Sequence, residues 1–272
     1  MRTHTNTKID GSNSVARTSI PTHKVQIQTF LTSYARVLIV PRIPLIEDLT
    51  TGPIPAGSVL LVEFTGASQW YNAALTIAAG WLKQGGKVSY NAAAQSPDDV
   101  RSALTRLGVY SEEYERDNKL RIWDFYTASL GKKSDEKYAY DSLKVMDLSL
   151  RIAKEDMYEA PQPEWLRVID NSSTWYRFND EKSMMEVELT RFIPSFKLRK
   201  STAVRAIMKG VHSNWVYEQL EGAHDGIIDF KLDEASDPAQ NLMRIRSLRN
   251  VGFDGRWHKF RIAGNLEVTI DK

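Results

Sequence analysis

The chain has 272 residues, a formal net charge of +2 and no cysteine. This length suffices for one α/β domain with a full core, and the lack of cysteine excludes disulfides and thiolate metal sites. The near-neutral charge predicts no strong attraction to nucleic acid or to a membrane surface. No apolar run reaches the roughly 18 residues of a membrane-spanning helix, and no signal-peptide pattern is present. We expect a soluble cytoplasmic protein.

The first residues differ in composition from the rest of the chain. Residues 1–24 are polar and rich in Ser and Thr, with basic residues outnumbering the single acid, and we expect a disordered tail there. A single folded domain is expected over residues 25–272, because no segment of the sequence repeats. Residues 25–40 are expected to form a helix or strand that packs at the edge of its core.

The segment from Gly57 to Leu82 has the order strand, turn, helix. The short apolar run Ser58–Val62 predicts a buried strand. After a turn through Gly66, apolar residues recur from Trp70 onward at the spacing of one helix face. A phosphate-binding loop lies between a strand and a helix in this order. In such a loop, backbone N–H groups of a glycine-rich turn and a lysine bind the phosphates, and a Ser or Thr hydroxyl binds magnesium.

The residues of this loop do not match that pattern. The frame G-x-x-x-x-G-K-[ST] places Glu63 and Ser68 at its two glycine positions. Gln69 stands at the lysine position and Trp70 at the hydroxyl position. Glu63 would put a negative charge where the first glycine faces phosphate. We therefore predict a degenerate phosphate loop whose turn is filled by aromatic packing, with the positions Glu63, Gly66, Ser68, Gln69, Trp70 and Tyr71.

The rest of the chain alternates strand and helix patterns. Apolar runs predict strands near residues 87–91, 120–126, 165–170 and 204–209. Helices with one apolar stripe are predicted near residues 96–107, 136–157, 185–196 and 215–222. The second of these helices is expected to carry Leu143, Met146 and Leu150 on one stripe. The last part predicts short strands near residues 226–232, 241–248, 257–262 and 266–270. Alternating β and α units followed by hairpins predict a mostly parallel sheet with an antiparallel extension.

Residues 42–58 carry a resemblance to a known family. They read RIPLIEDLTTGPIPAGS, which resembles the lead-in G-[IV]-P-x-L-D-x-L-x-x-G-G-[IL]-P-x-G-S of KaiC-like proteins of the RecA-type ATPase superfamily. The resemblance continues, over about residues 40–262, through SPDDVRSALTRLGV, DNKLRIWDFYT, EWLRVIDNSS, VYEQLEGAHDGIIDFKL and the final RIRSLRN…RWHKFRI. It implies an α/β, RecA-like three-layer sandwich with a mostly parallel central sheet and a C-terminal antiparallel β extension.

The resemblance also implies where the catalytic groups of an active member would lie. KaiC-like enzymes carry a Glu-Glu pair just before the Ser-Pro helix start, and here that pair falls on Ala94 and Gln95, which cannot accept a proton from water. Asp170 matches the Walker B-like, magnesium-organising Asp, although an acid at a strand end also serves as a cap. These losses imply a pseudo-ATPase with no cofactor and no metal. Members of this family often form rings, which implies protein partners for this chain, either further copies of itself or a related active ATPase.

Two other functions stay open from the sequence. An ATP-binding enzyme with non-standard loop residues would use Lys83 or Lys87 as its cation and Asp170 for magnesium. A nucleic-acid-binding RecA-like protein would use the basic residues between Arg244 and Arg249, together with 197–200. Since no exposed aromatics or glycine-rich loops interleave with them, a solvated face is favoured over a nucleic-acid site.

The histidines and serines give no further catalytic signature. The five histidines lack the spacing of zinc ligands, so we expect His212 and His224 to be loop or strand-end residues. The run Gly66-Ala67-Ser68 begins like a nucleophile elbow, but the closing glycine is absent.

Overall fold

The structure, a computed structural model, describes residues 41–158 and 162–271, with the side chains of 153–158 left out. The predicted tail over 1–24 and the element predicted over 25–40 lie outside the described residues. Within the described ranges, apolar and β-branched segments form nine strands of one sheet. These strands are β1 (Val59–Phe64), β2 (Lys87–Ala92), β3 (Leu120–Asp124), β4 (Trp165–Ile169), β5 (Thr202–Met208), β6 (Gly226–Asp233), β7 (Gln240–Leu248), β8 (His258–Ile262) and β9 (Val268–Ile270).

Helices connect the parallel strands. They are α1 (Trp70–Lys83), α2 (Pro97–Arg106), α3 (Ser111–Arg116), α4 (Tyr126–Ser129), α5 (Val145–Tyr158), α6 (Ser173–Tyr176), α7 (Glu181–Val187), α8 (Ile193–Leu198) and α9 (Asn214–Ala223). Apolar spacing in the sequence does not predict the short helices α3, α4 and α6. No helix in the described part of the chain is long and apolar enough to cross a membrane.

The sheet has the order β3-β2-β4-β5-β1-β6-β7-β8-β9. Neighbours from β3 to β6 pair in parallel, and β6 to β9 pair antiparallel. One apolar core lies between the sheet and α1 with α2, and the other lies between the sheet and α5 to α9. The predicted α/β sandwich with an antiparallel extension is therefore confirmed.

The central strand β1 is buried on both faces. Leu60 and Val62 point into the core on the α1 side, whereas Val59 and Leu61 point into the core on the opposite side. A strand covered on both faces reads as a continuous apolar run, as this one does in the sequence. Glu63 interrupts the run, and the alternation of the strand puts it on the face opposite α1.

The long helix predicted before β4 begins later than the sequence pattern suggests. It starts at Val145, because residues 138–140 run extended and exchange backbone hydrogen bonds with the end of β3. Its buried stripe contains Leu148, whereas Met146 and Leu150 are 65% and 64% exposed. The predicted stripe through Met146 and Leu150 was wrong.

The helix predicted over 185–196 is longer and contains one wide turn. A π-helical turn, Glu188–Phe192, joins α7 to α8. It places the Glu188 carboxylate, fully buried, against the guanidinium of Arg205 on β5, and both guanidinium Nη atoms bond the two carboxylate oxygens. Such wide turns occur as local interruptions of α-helices, and the period of the apolar residues does not reveal them.

Candidate functional site

The carboxyl ends of β1, β2, β4 and β5 lie at one edge of the sheet, because these strands are parallel. Open α/β sheets bind their ligands at this edge. The structure brings three of the predicted positions together there: Trp70 after β1, Ala94 after β2 and Asp170 after β4. The edge is therefore the candidate functional site.

Trp70 is the residue that the loop frame predicts at the position of a metal-binding hydroxyl. It begins α1 and is fully buried. Its indole Nε1 donates a hydrogen bond to the backbone carbonyl of Asp170 at 2.8 Å, and its ring packs edge-on against Phe230 with centroids 5.2 Å apart. The side chain at this position is thus a packed aromatic whose polar atom is already bonded to protein.

Tyr71 makes a second hydrogen bond between the start of α1 and the end of β4. Its Oη accepts a hydrogen bond from Asn171 Nδ2 at 3.2 Å, and its ring packs edge-on against Phe64 at 5.5 Å. Burial, together with the nearby charge of Asp170, raises the pKa of Tyr71 to about 12, so its hydroxyl stays protonated. The first two residues of α1 are therefore both bonded to the end of β4.

The carboxyl group of Asp170 is bonded to backbone N–H groups. Its Oδ1 accepts from the N–H of Ala93 at 2.9 Å and of Ala94 at 3.2 Å. The side chain is fully buried, and this burial raises its pKa to about 7 against the opposing effect of those N–H bonds. Asp170 thus caps the connection between β2 and α2 at Ala93 and Ala94, next to the predicted acid positions Ala94 and Gln95.

The side chains of Ser68 and Gln69 form hydrogen bonds within the loop and the first turn of α1. Ser68 Oγ donates to the carbonyl of Thr65 at 2.7 Å, which uses the hydroxyl to close the turn. Gln69 Oε1 accepts from Asn72 Nδ2 at 2.9 Å in the first turn of α1, and Gly66 lies exposed at the turn itself. These contacts give Ser68 the role of a turn residue and not of a nucleophile.

The sequence predicts that Glu63 faces the phosphate side of the loop, but in the structure it points away from the loop. It is 1% exposed and lies on the sheet face opposite Phe64. Its carboxylate oxygens lie 2.9 Å from Lys209 Nζ and 2.6 Å from Arg246 Nη2. Burial alone would raise the pKa of Glu63, but the hydrogen bonds with Lys209 and Glu221 and the charge of Arg246 outweigh it and lower the pKa.

Glu63 belongs to a larger charge cluster on this face. Arg244 Nε lies 2.8 Å from Asp229 Oδ2, and Arg246 Nη2 lies 3.0 Å from Glu221 Oε1. The basic residues proposed for nucleic acid thus pair with acids of the chain itself. Sequence reasoning missed Lys209, although its place directly after β5 puts it at the candidate edge. The charge cluster consists of Glu63, Lys209, Glu221, Asp229, Arg244 and Arg246, three acids and three bases.

The two lysines considered for nucleotide binding lie at the other edge of the sheet. Lys87 is the first residue of β2 and pairs with Glu164 at 3.2 Å. Lys83 ends α1, about 20 Å along the helix from its loop end at 1.5 Å per residue. Neither lysine reaches the degenerate loop, so the ATP-binding alternative has no cation from this pair.

The two histidines sit in different surroundings. His212 Nε2 lies 2.8 Å from Ser173 Oγ, and its Nδ1 lies 3.6 Å from Glu181; burial lowers the pKa of His212. His224 is fully buried, with Nδ1 2.6 Å from the carbonyl of Leu220, and burial lowers its pKa to about 3. Among the residues that the structure describes, no three His, Asp or Glu side chains group to hold a metal ion.

A magnesium nucleotide does not fit the residues at this edge. The hydroxyl position holds the buried Trp70, and the carboxyl group of Asp170 is occupied by backbone N–H groups. Ala94 and Gln95 provide no catalytic acid, and Gln69 replaces the loop lysine. Two groups that phosphoryl transfer would use are thus engaged within the protein, the side chain at position 70 and the carboxyl group of Asp170.

Comparisons with known proteins identify the family. The sheet order and the site at its carboxyl edge define a RecA-like α/β domain. Residues 41–272 match the family model "ATPase: KaiC", and the chain belongs to the KaiC family. A UPF0273 protein of Aeropyrum pernix is 23% identical over 224 residues, which cover 81% of this chain and 88% of the relative. The crystal structure of a KaiC-like protein from Pyrococcus horikoshii aligns with a TM-score of 0.66 at 18% identity, covering 86% of this chain and 98% of that one. The resemblance found in the sequence is confirmed.

Proposed function

We propose that this member of the KaiC family is a pseudo-ATPase, a non-catalytic domain that acts as a regulatory or scaffolding interaction module. The observation that carries the proposal is the fully buried indole of Trp70, hydrogen-bonded at 2.8 Å to the carbonyl of Asp170. This bond joins the position of the metal-binding hydroxyl directly to the Walker B-like strand end. The side chain at this position therefore offers no hydroxyl to a magnesium ion, and its polar atom is already bonded to the protein.

The chemistry of nucleotide hydrolysis supports the same proposal. Hydrolysis needs a phosphate cradle, a positioned cation and a group that orients water. The cradle lacks its lysine, the carboxyl group of Asp170 is turned to the N–H groups of Ala93 and Ala94, and the water-activating acids are replaced by Ala94 and Gln95. These replacements lie on three separate connections of the sheet, so no single substitution would restore activity.

The proposed partners are proteins, either further copies of this chain or a related active ATPase. Exposed apolar side chains are available for such contacts. Met146 and Leu150 lie about one turn apart on α5. Val211 and Trp215 lie in the connection that follows β5 at the candidate edge and in the first turn of α9. Aromatic residues, Trp included, are enriched at the centres of protein interfaces. The pairing of Arg244 and its neighbours with acids argues against a nucleic-acid partner.

Calorimetric titration of ATP into the purified protein tests the proposal. At about 100 μM protein, where micromolar affinities register, we expect no binding heat with or without magnesium. Magnesium-dependent binding that disappears in Asp170→Ala would contradict the proposal and support the ATP-binding alternative. A matched variant, Asp48→Ala, changes an exposed acid far from the site and should behave as the parent chain in every titration.

The oligomeric state tests the second part of the proposal. Light scattering coupled to gel filtration would show multiples of the 31.0 kDa chain if the protein assembles with itself. A monomer that stays a monomer when mixed with an active KaiC-family relative would contradict the scaffolding role.

A further inference from the structure

The connection between β5 and α9 is exposed but firmly held. Its residue Val211 is 54% exposed, and Trp215 in the first turn of α9 is 44% exposed. Tyr217 Oη nevertheless accepts from the backbone N–H groups of Val211 at 3.2 Å and His212 at 3.3 Å, and donates to the carbonyl of Met208 at 2.8 Å. The connection that exposes Val211 and Trp215 is thus held in place by three hydrogen bonds to the Tyr217 hydroxyl.

The start of α9 is capped from another helix. Ser213, the N-cap residue, makes no capping bond with its own side chain. Instead, Glu181 of α7 accepts from the N–H of Ser213 at 3.0 Å and from its Oγ at 2.6 Å. The same Glu181 carboxylate lies 3.6 Å from Nδ1 of His212. The neighbouring His212 therefore faces both the cap and the interior.

On its interior side His212 continues into the candidate site. Its Nε2 lies 2.8 Å from Ser173 Oγ, which also accepts from the N–H of Met208 at 3.0 Å. The N–H of Ser173 donates to Asn171 Oδ1 at 3.0 Å, and Asn171 Nδ2 donates to Tyr71 Oη at 3.2 Å. A neutral imidazole can accept the Ser173 hydroxyl proton at Nε2, in keeping with the lowered pKa of His212.

We propose that these contacts form one relay, through which the buried end of α1 controls the mobility of the exposed start of α9. Asn171 uses both ends of its amide, so loss of the Tyr71 contact releases the group that also holds the N–H of Ser173. Polar groups connected in this way stabilise one another by more than their separate contacts. The inference concerns this chain's own residues and holds whether or not a nucleotide binds. The relay consists of Tyr71, Asn171, Ser173, His212, Glu181 and Ser213.

Amide hydrogen exchange of Tyr71→Phe tests the relay. This substitution removes one hydroxyl and keeps the ring. We expect exchange over residues 209–217 to accelerate about threefold or more, the effect of losing one hydrogen bond, relative to exchange in β1, the central strand that is buried along its whole length. The matched control is Tyr90→Phe, because the Tyr90 hydroxyl is buried without a hydrogen-bond partner among the described residues. It should leave the 209–217 segment unchanged.

A second substitution shows whether the effect travels along the relay. Ser173→Ala interrupts the path, so adding Tyr71→Phe to it should cause no further acceleration over 209–217. If Ser173→Ala does not fold, His212→Gln interrupts the path one step later and serves the same comparison. The proposal is overturned if Tyr71→Phe changes the segment no more than Tyr90→Phe does, or if its effect is equally large in the interrupted background.

Discussion

Asp170 and His224 titrate in opposite senses, which allows the burial of the candidate site to be tested by pH. Burial raises the pKa of Asp170 from 3.8 to about 7. Between these pH values the folded chain holds a proton that the unfolded chain does not. The resulting stabilisation is fully present below about pH 4 and is lost as the pH rises through about 7. At 1.36 kcal/mol per pH unit it amounts to about 4 kcal/mol.

His224 contributes with the opposite sign. Burial lowers its pKa from 6.5 to about 3, so the unfolded chain binds the extra proton in this range. Its stabilisation is fully present above about pH 6.5 and is lost as the pH falls. Between pH 4 and 6.5 the loss amounts to about 3 kcal/mol. In the parent chain the two contributions largely cancel over this window.

Replacing either residue should reveal the pH dependence of stability that the other residue contributes. Relative to the parent chain, Asp170→Asn should lose about 4 kcal/mol of unfolding free energy when the pH is lowered from 7.5 to 4. His224→Gln should gain about 3 kcal/mol over pH 6.5 to 4. Urea unfolding followed by far-UV circular dichroism at a series of pH values gives these differences directly.

The sign of the Asp170→Asn result decides between two descriptions of the site. A change below about 1 kcal/mol would refute the description of Asp170 as a buried group that takes up a proton near neutral pH. A variant that becomes relatively more stable as the pH falls would show that Asp170 is held as a charged carboxylate, as the magnesium-binding alternative requires. His224→Gln provides the control, because it has the opposite expected slope.

Three further substitutions test the packing that supports the site, each by denaturant unfolding. Trp70→Ala should lower the unfolding free energy by about 3–5 kcal/mol, and a change below about 1 kcal/mol would contradict its burial. Arg205→Met alone should cost about 3–5 kcal/mol because it leaves Glu188 buried and unpaired, whereas adding Glu188→Leu should recover part of the loss; equal or greater loss in the double variant would count against this account. Gly80→Ala usually favours a helix by up to about 1 kcal/mol, but here its Cβ would lie 2.4 Å from Pro44 Cγ, so we expect destabilisation by about 1–3 kcal/mol.

The sequence predicts the architecture well because the architecture rests on local patterns. The continuous apolar run of β1 and the helical spacing after it indicate a buried strand and its helix. The long helix before β4 shows the limit of this reasoning. The sequence places Met146 and Leu150 on a buried apolar stripe, yet the helix begins only at Val145, after the extended residues 138–140, and the face that carries these two residues is exposed.

The contacts within the candidate site could not be predicted from the sequence. The loop frame shows directly that lysine and hydroxyl are absent at Gln69 and Trp70. The bond from Trp70 to Asp170 joins residues 100 positions apart, and no spacing rule connects them. The pairing of Glu63 with Lys209 and Arg246 is equally non-local. Contacts between distant strand ends depend on sheet order, which the chain reveals only once folded.

The charge cluster has a consequence for how this chain can change over evolutionary time. A phosphate loop would require glycine at position 63, but that substitution would remove the buried carboxylate that Lys209 and Arg246 share and leave the charge cluster with two acids against three bases. A hydroxyl residue at position 70 would likewise leave a cavity the size of an indole. We expect each of these substitutions to lower stability before any ligand could compensate, so a phosphate loop could not be introduced one residue at a time without destabilising the fold. Relatives that keep a glycine at position 63 should therefore also differ at the positions of Lys209 and Arg246.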